Sequence, residues 1–113
     1  MQQRFSQQMK KGVLDMLVLK LLECEEKYGY QLIAELRDRT GGALALKEGT
    51  LYPILYRLED DGLVTCRMVA RTAKEPARKY YAVTAAGRAA LREMYGQWSE
   101  FGDQVRAIME EGQ

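Results

Sequence analysis

The chain has 113 residues, 29% charged and 47% hydrophobic, with a formal net charge of +1. That suits one soluble globular domain with a modest core, and it excludes a disordered chain and a uniformly basic nucleic-acid binder. There is no histidine, no glycine-rich phosphate loop and no nucleophile with a visible base partner, so enzyme chemistry is not expected.

No apolar run is long enough to span a bilayer, and MQQRFSQQMKKG lacks the apolar segment of a signal peptide. The expected compartment is the cytoplasm, with no membrane partner. Cys24 and Cys66 follow no metal-ligand spacing and stand in no CxxC. They are expected to be ordinary buried or half-buried thiols, with no disulfide, metal or cofactor.

In chain order, Gln2 to Met9 is polar and is expected to be frayed or to form the first turns of a helix. Gly12 to Leu22, GVLDMLVLKLL, is the first firm helix. Apolar residues cover most of its circumference, so it must be buried on more than one side. Another subunit could meet the second side, or the helix could be fully central in the core. Glu23 to Lys27 reads as a charged turn. Tyr28-Gly29-Tyr30 opens the next helix, Leu32, Ile33 and Leu36 form its inward stripe, and Thr40-Gly41-Gly42 closes it. Leu44-Ala45-Leu46 is a short extended link.

Glu48 to Val64, EGTLYPILYRLEDDGLV, is the stretch with functional content. Leu51, Ile54, Leu55 and Leu58 recur at helical spacing and face inward. Thr50, Tyr52, Tyr56 and Arg57 occupy the other side, and their hydroxyls and guanidinium suit phosphates and base edges. An ordinary amphipathic helix with a polar face fits the same pattern. Pro53 falls in the second turn and removes the bond to the Gly49 carbonyl. Gly62 suits a left-handed turn that ends the helix. Leu63 to Val69 and Lys79 to Val83 read as two strands. Between Arg67 and Tyr80 five basic residues meet the single acid Glu75, so Ala70 to Arg78 reads as a mobile basic wing tip.

Thr84 is a good N-cap for the last helix. Leu91, Trp98 and Val105 fall seven apart, as do Met94, Phe101 and Ile108, and Tyr95 and Met109 widen the stripe. A seam of this kind wants a partner helix, most simply its own twin.

Four blocks, KGVLDMLVLKLL, YGYQLIAEL, EGTLYPILYRLEDDGLV and RKYYAVTAAGRAAL, resemble in order and spacing the PadR family of bacterial transcriptional regulators, in its short form. The likeness covers nearly the whole chain. It implies a mainly α fold with a small two-stranded β-wing, an α+β winged helix-turn-helix over residues 1–84. Residues 85–113 would form a dimerisation helix packing with the first helix of the partner. The implied function is repression of transcription by a homodimer on a pseudo-palindromic double-stranded DNA operator. The implied dimer contacts are Leu14, Leu17, Leu91, Met94, Trp98, Phe101, Val105 and Ile108. In the short branch the dimer interface can hold a flat hydrophobic or aromatic effector between two tryptophans, whereas the seam pattern alone fits equally an aromatic that only packs the dimer. Trp98, in YGQWSEF, matches that position, with Met94 beside it, and the effector's identity does not carry over.

The expected DNA contacts are Lys10, Lys11, Tyr28, Thr50, Tyr52, Tyr56, Arg57, Arg78 and Lys79. Tyr28 and the amides of Gly29 and Tyr30 would seat a phosphate at a helix N-terminus, and Tyr52 could instead pack against the preceding helix. The competing reading is a dimeric winged-helix module that docks a protein, because Glu59, Asp60 and Asp61 beside the reading helix would repel phosphate.

Overall fold

The computed structural model describes residues 2–112, with side chains from Arg4 onward. Its elements are α1 (Gln2–Lys11), α2 (Leu14–Cys24), β1 (Lys27–Tyr28), α3 (Gly29–Arg39), α4 (Glu48–Asp60), β2 (Val64–Val69), β3 (Arg78–Val83) and α5 (Ala85–Met109). Gly12 and Val13 break the first helical stretch in two, with Val13 N donating to the Lys10 carbonyl at 3.1 Å. Glycine is a poor interior helix residue, which favours the break there. The polar N-terminus is therefore a helix of its own.

The core lies where α2, α3, α4 and the sheet converge. Val18, Leu19, Leu32, Leu51, Leu55 and Tyr81 have no exposed surface. Leu14, Leu21, Leu22 and Leu36 close it from the helices, and Leu91 closes it from α5. The second side of α2 is thus covered largely by the chain's own α5, and the central-core reading of this helix describes most of it. Its apolar Val13, Met16 and Leu17 remain half-buried on that side.

The sheet has three strands in the order β1-β3-β2, all antiparallel, and not the expected two. The expected charged turn and helix start at Lys27 and Tyr28 form β1 instead, with Lys27 opposite Tyr81 and Tyr28 opposite Tyr80. Two residues carry no period-2 signal, so only the free edge of β3 makes them a strand. Lys27 is buried there. Its ammonium donates to the Leu21 carbonyl at 2.6 Å and lies 3.6 Å from Glu35 Oε2. β1 also explains why Tyr80 is buried although it faces away from Tyr81: the Tyr28 ring covers it edge-on at 5.3 Å.

The turn after α4 is a Schellman motif. Leu63 N donates to the Leu58 carbonyl at 2.9 Å, Gly62 N to the Glu59 carbonyl at 3.0 Å, and Gly62 has φ +74°. Thr84 then ties this turn to α5. Its Oγ1 accepts from Gly87 N at 3.0 Å and donates to the Gly62 carbonyl at 2.7 Å. A Cβ at Gly87 would run into the Leu63 backbone carbonyl, so only glycine lets α5 approach this closely. α5 starts against the core and then leaves it. Leu91 is buried, Met94 is half-buried, and Trp98, Phe101, Val105, Ile108 and Met109 are exposed, the last by 72%.

Candidate nucleic-acid interface and the adjoining cleft

Leu51, Ile54, Leu55 and Leu58 bury one side of α4, which fixes what its other side presents. Thr50 lies exposed in the first turn, and Pro53 and Tyr56 are exposed on the outer face. Lys47 precedes the helix without capping it by a side chain; its carbonyl accepts from the Thr50 and Leu51 amides at 3.0 and 3.1 Å. Tyr52 is half-buried. Its phenol tip sits over Gly29, where no Cβ would fit, and burial pushes the phenol's pKa up. Packing against α3 therefore accounts for much of the Tyr52 ring, and the Gly29 amide is covered. The Tyr28 amide is likewise occupied, donating to Gln31 Oε1 at 3.0 Å. The helix N-terminus expected to seat a phosphate is largely closed, leaving the exposed Tyr30 end of it.

The wing lies alongside the tyrosines. The Lys79 ammonium stands 5.5 Å from the centre of the Tyr56 ring, and the Arg78 guanidinium 4.6 Å from the Tyr28 ring. Cations over aromatic faces are held in place without losing their charge. Neither forms a salt bridge with an acid among the described residues. Arg67 differs. Its guanidinium grips both oxygens of Glu26, with Nε at 2.8 Å, which lowers the Glu26 carboxyl's pKa and raises that of Arg67. The basic segment seen in the sequence thus contains one neutralised arginine at its root and unpaired cations further out. Tyr28, Tyr30, Glu48, Tyr52, Met68, Arg78 and Lys79 together surround a concave patch of 560 Å³ between α4 and the wing.

Lys10, Lys11 and Arg57 are not part of that patch. Lys10 is half-buried at the end of α1. Lys11, Asp15 and Arg57 line a separate hollow of 440 Å³ with Met94, Trp98 and Phe101. There Arg57 Nη2 donates to Asp15 Oδ1 at 2.6 Å, which raises the guanidinium's pKa further. Asp15 was not singled out in the sequence, although a lone acid inside GVLDMLVLKLL is a signal that a partner exists. On the sheet side of α4, Cys66 Sγ donates to Glu59 Oε2 at 3.3 Å, and this bond, with burial, raises the thiol's pKa. Cys24 is exposed, contrary to the expected burial, because it ends α2 beyond the core.

A larger apolar cleft of 670 Å³ lies between α2 and α5, lined by Val13, Met16, Leu17, Leu91, Tyr95 and Trp98, with Lys20, Glu23 and Arg92 at its rim. The Tyr95 and Trp98 rings stack at 6.2 Å with planes 13° apart. Trp98 borders both hollows, whereas Met94 lines the smaller one. Leu14 and Leu91, expected at the dimer contact, are buried in the chain's own core, so little of either is left to meet a partner.

A helix-turn-helix whose second helix runs into a small antiparallel sheet with a basic loop defines a winged helix-turn-helix protein. The chain belongs to the PadR-like family of transcriptional regulators, whose family model matches residues 18–93. This is a family of regulators and not of enzymes. A PadR family regulator from Eggerthella lenta has a similar structure: TM-score 0.88 and 34% identity over 97% of this chain and 93% of that one. An uncharacterised Lysinibacillus sphaericus protein, X, is 32% identical over 88% of this chain and 91% of its own length. Bacillus subtilis PadR, solved in complex with operator DNA, matches with TM-score 0.64 and 30% identity over 72% of this chain. The chain spans only 44% of that protein's length, and likewise 44% of the Escherichia coli transcriptional regulator YqjI. Among the described residues no helix is long and apolar enough to cross a membrane, and no acidic or thiol cluster could hold a metal.

Proposed function

We propose that this protein is a sequence-specific DNA-binding repressor that acts as a cytoplasmic homodimer. The carrying observation is the face formed by exposed Thr50 and Tyr56 on α4 beside the unpaired cations Arg78 and Lys79 on β3. α4 would enter a major groove, and the wing cations would neutralise the neighbouring backbone. The capture of operator DNA by Bacillus subtilis PadR supports this reading. The exposed stripe of Trp98, Phe101, Val105, Ile108 and Met109 on α5 supports a second copy as its cover. A two-fold dimer would place its reading helices about one DNA turn, roughly 34 Å, apart, on a pseudo-palindromic site.

Regulation by a planar hydrophobic or phenolic effector is supported by the apolar cleft beside Trp98. Such an effector induces only if it binds one dimer geometry better than the other.

The test is fluorescence anisotropy on the gene's own upstream DNA against a scrambled duplex, across a salt series. Tight, dimer-stoichiometric binding that prefers the native fragment and falls steeply with salt is the expected result. Failure to bind any duplex, including those from random-sequence selection, would overturn it and favour a dimeric winged-helix module that docks a protein instead of DNA. Quenching of Trp98 emission by a panel of phenolic and polyaromatic compounds tests the effector, and a blank panel removes it.

A further inference from the structure

α4 turns by about 100° per residue, so Tyr52 and Arg57 stand on opposite flanks of the reading helix. The wing flank is fixed by packing, with Tyr52 over Gly29 and Lys79 over Tyr56. The other flank is held differently. Arg57 reaches back to Asp15, in the first turn of α2, and among the described residues this is the one side-chain hydrogen bond between α2 and α4. The pair is open to solvent, Arg57 by 55% and Asp15 by 31%, so it contributes little to fold stability.

Its geometry has more to offer than its energy. The bond to Asp15 engages one of the guanidinium's N–H donors, and the others are left for a second acceptor. A free arginine loses much rotamer freedom when it grips a phosphate, and an anchored one loses less. We propose that Asp15 is a positioning residue for DNA recognition: it holds Arg57 so that the open edge of the guanidinium meets a backbone phosphate. This rests on the DNA-binding reading above.

Electrostatics gives the test its sign. If Asp15 were a bystander, removing its charge would relieve repulsion of the phosphates and tighten binding. If it positions Arg57, removing it weakens binding even though the protein has become more positive.

The experiment measures affinity for a selected duplex at fixed salt for wild type, Asp15→Asn, Asp15→Glu, Arg57→Ala and the Asp15→Asn/Arg57→Ala double variant, with thermal melts of each. Asp15→Asn is expected to weaken binding about three- to tenfold, and Asp15→Glu to restore it to within about twofold. In the Arg57→Ala background Asp15→Asn should weaken nothing further. Equal or tighter binding by Asp15→Asn, with an unchanged melt, overturns the proposal. Should Asp15→Asn melt early, Arg57→Lys decides, because it keeps the charge and loses the fork. Wild-type affinity in Arg57→Lys would then sink the idea. A wild-type protein that binds no duplex overturns the DNA-binding function itself, which separates the two failures.

Discussion

Arg78 and Lys79 carry free charge on the side of the wing proposed to face DNA, and replacing both with alanine tests this quantitatively. Each stands over a tyrosine ring at the start of β3, and no acid neutralises either among the described residues. A cation that neutralises one phosphate contributes about 0.9 to the slope of log affinity against log salt. Two such cations per protomer, doubled in a dimer, contribute about 3.6. Between 50 and 200 mM salt that slope is worth roughly a hundredfold in affinity, which the double alanine variant should no longer lose. The assay is anisotropy on specific and scrambled duplexes at five or more salt concentrations, and both duplexes should lose affinity alike, because phosphates carry no sequence. Arg67→Ala is the internal control. Glu26 already neutralises that guanidinium, so the slope should change much less. A slope unchanged in the Arg78/Lys79 variant would refute the assignment of the wing to the DNA face. A slope equally reduced by Arg67→Ala would refute the distinction between paired and free cations.

Thr84→Ala removes both an N-cap bond to Gly87 and a bond to the Gly62 carbonyl, and should destabilise the chain by about 1.5–3 kcal/mol in urea unfolding at fixed protomer concentration. Thr84→Ser should keep most of that stability, and a loss as large as alanine's would mean the methyl group, not the hydroxyl, matters. Burial pushes the Tyr81 phenol up to about 12 from an ordinary 10.0. The folded state therefore holds this proton more tightly than the unfolded one, and stability should be full below pH 10 and fall as pH rises toward 12. The same hydroxyl has no hydrogen-bond partner among the described residues, so Tyr81→Phe should flatten that fall and, at pH 7, be neutral or stabilising by up to ~1 kcal/mol. A steeper alkaline fall in Tyr81→Phe would contradict this. A thiol reagent at pH 7 should label exposed Cys24 several times faster than Cys66, whose thiol is half-buried and bonded to Glu59. Mass spectrometry of a time course reads the order directly, and Cys66 reacting first would contradict the assigned contact.

The local sequence carried most of the fold because its signals are local. The helical spacing of Leu51, Ile54, Leu55 and Leu58 placed α4 to within its caps, Gly62 placed the left-handed turn, and Thr84 placed the start of α5. β2 and β3 each begin within one residue of the expected start. What sequence spacing could not supply is which of two exposed-looking side chains faces another element. Thr50 and Tyr56 are open on α4, but Tyr52 closes over Gly29, and Arg57 is drawn to an acid 42 positions earlier in the chain. β1 was illegible because two residues cannot show a period; the edge of β3 makes them a strand. The heptad pattern in α5 was legible as a stripe, but not its division between uses. Leu91 serves the chain's own core, while Trp98 to Met109 stay uncovered.

Sequence alone thus determined the four helices after the N-terminal one, the turn at Gly62, the cap at Thr84, the strand pair of the wing and where positive charge accumulates, because these depend on periodicity and on residues a few positions apart. Only the tertiary structure decided which cations are free, which tyrosine is spent on packing, and which face of α2 and α5 leaves a cleft. Those depend on pairs such as Glu26–Arg67 and Asp15–Arg57, whose members meet through folding and not through proximity in the chain.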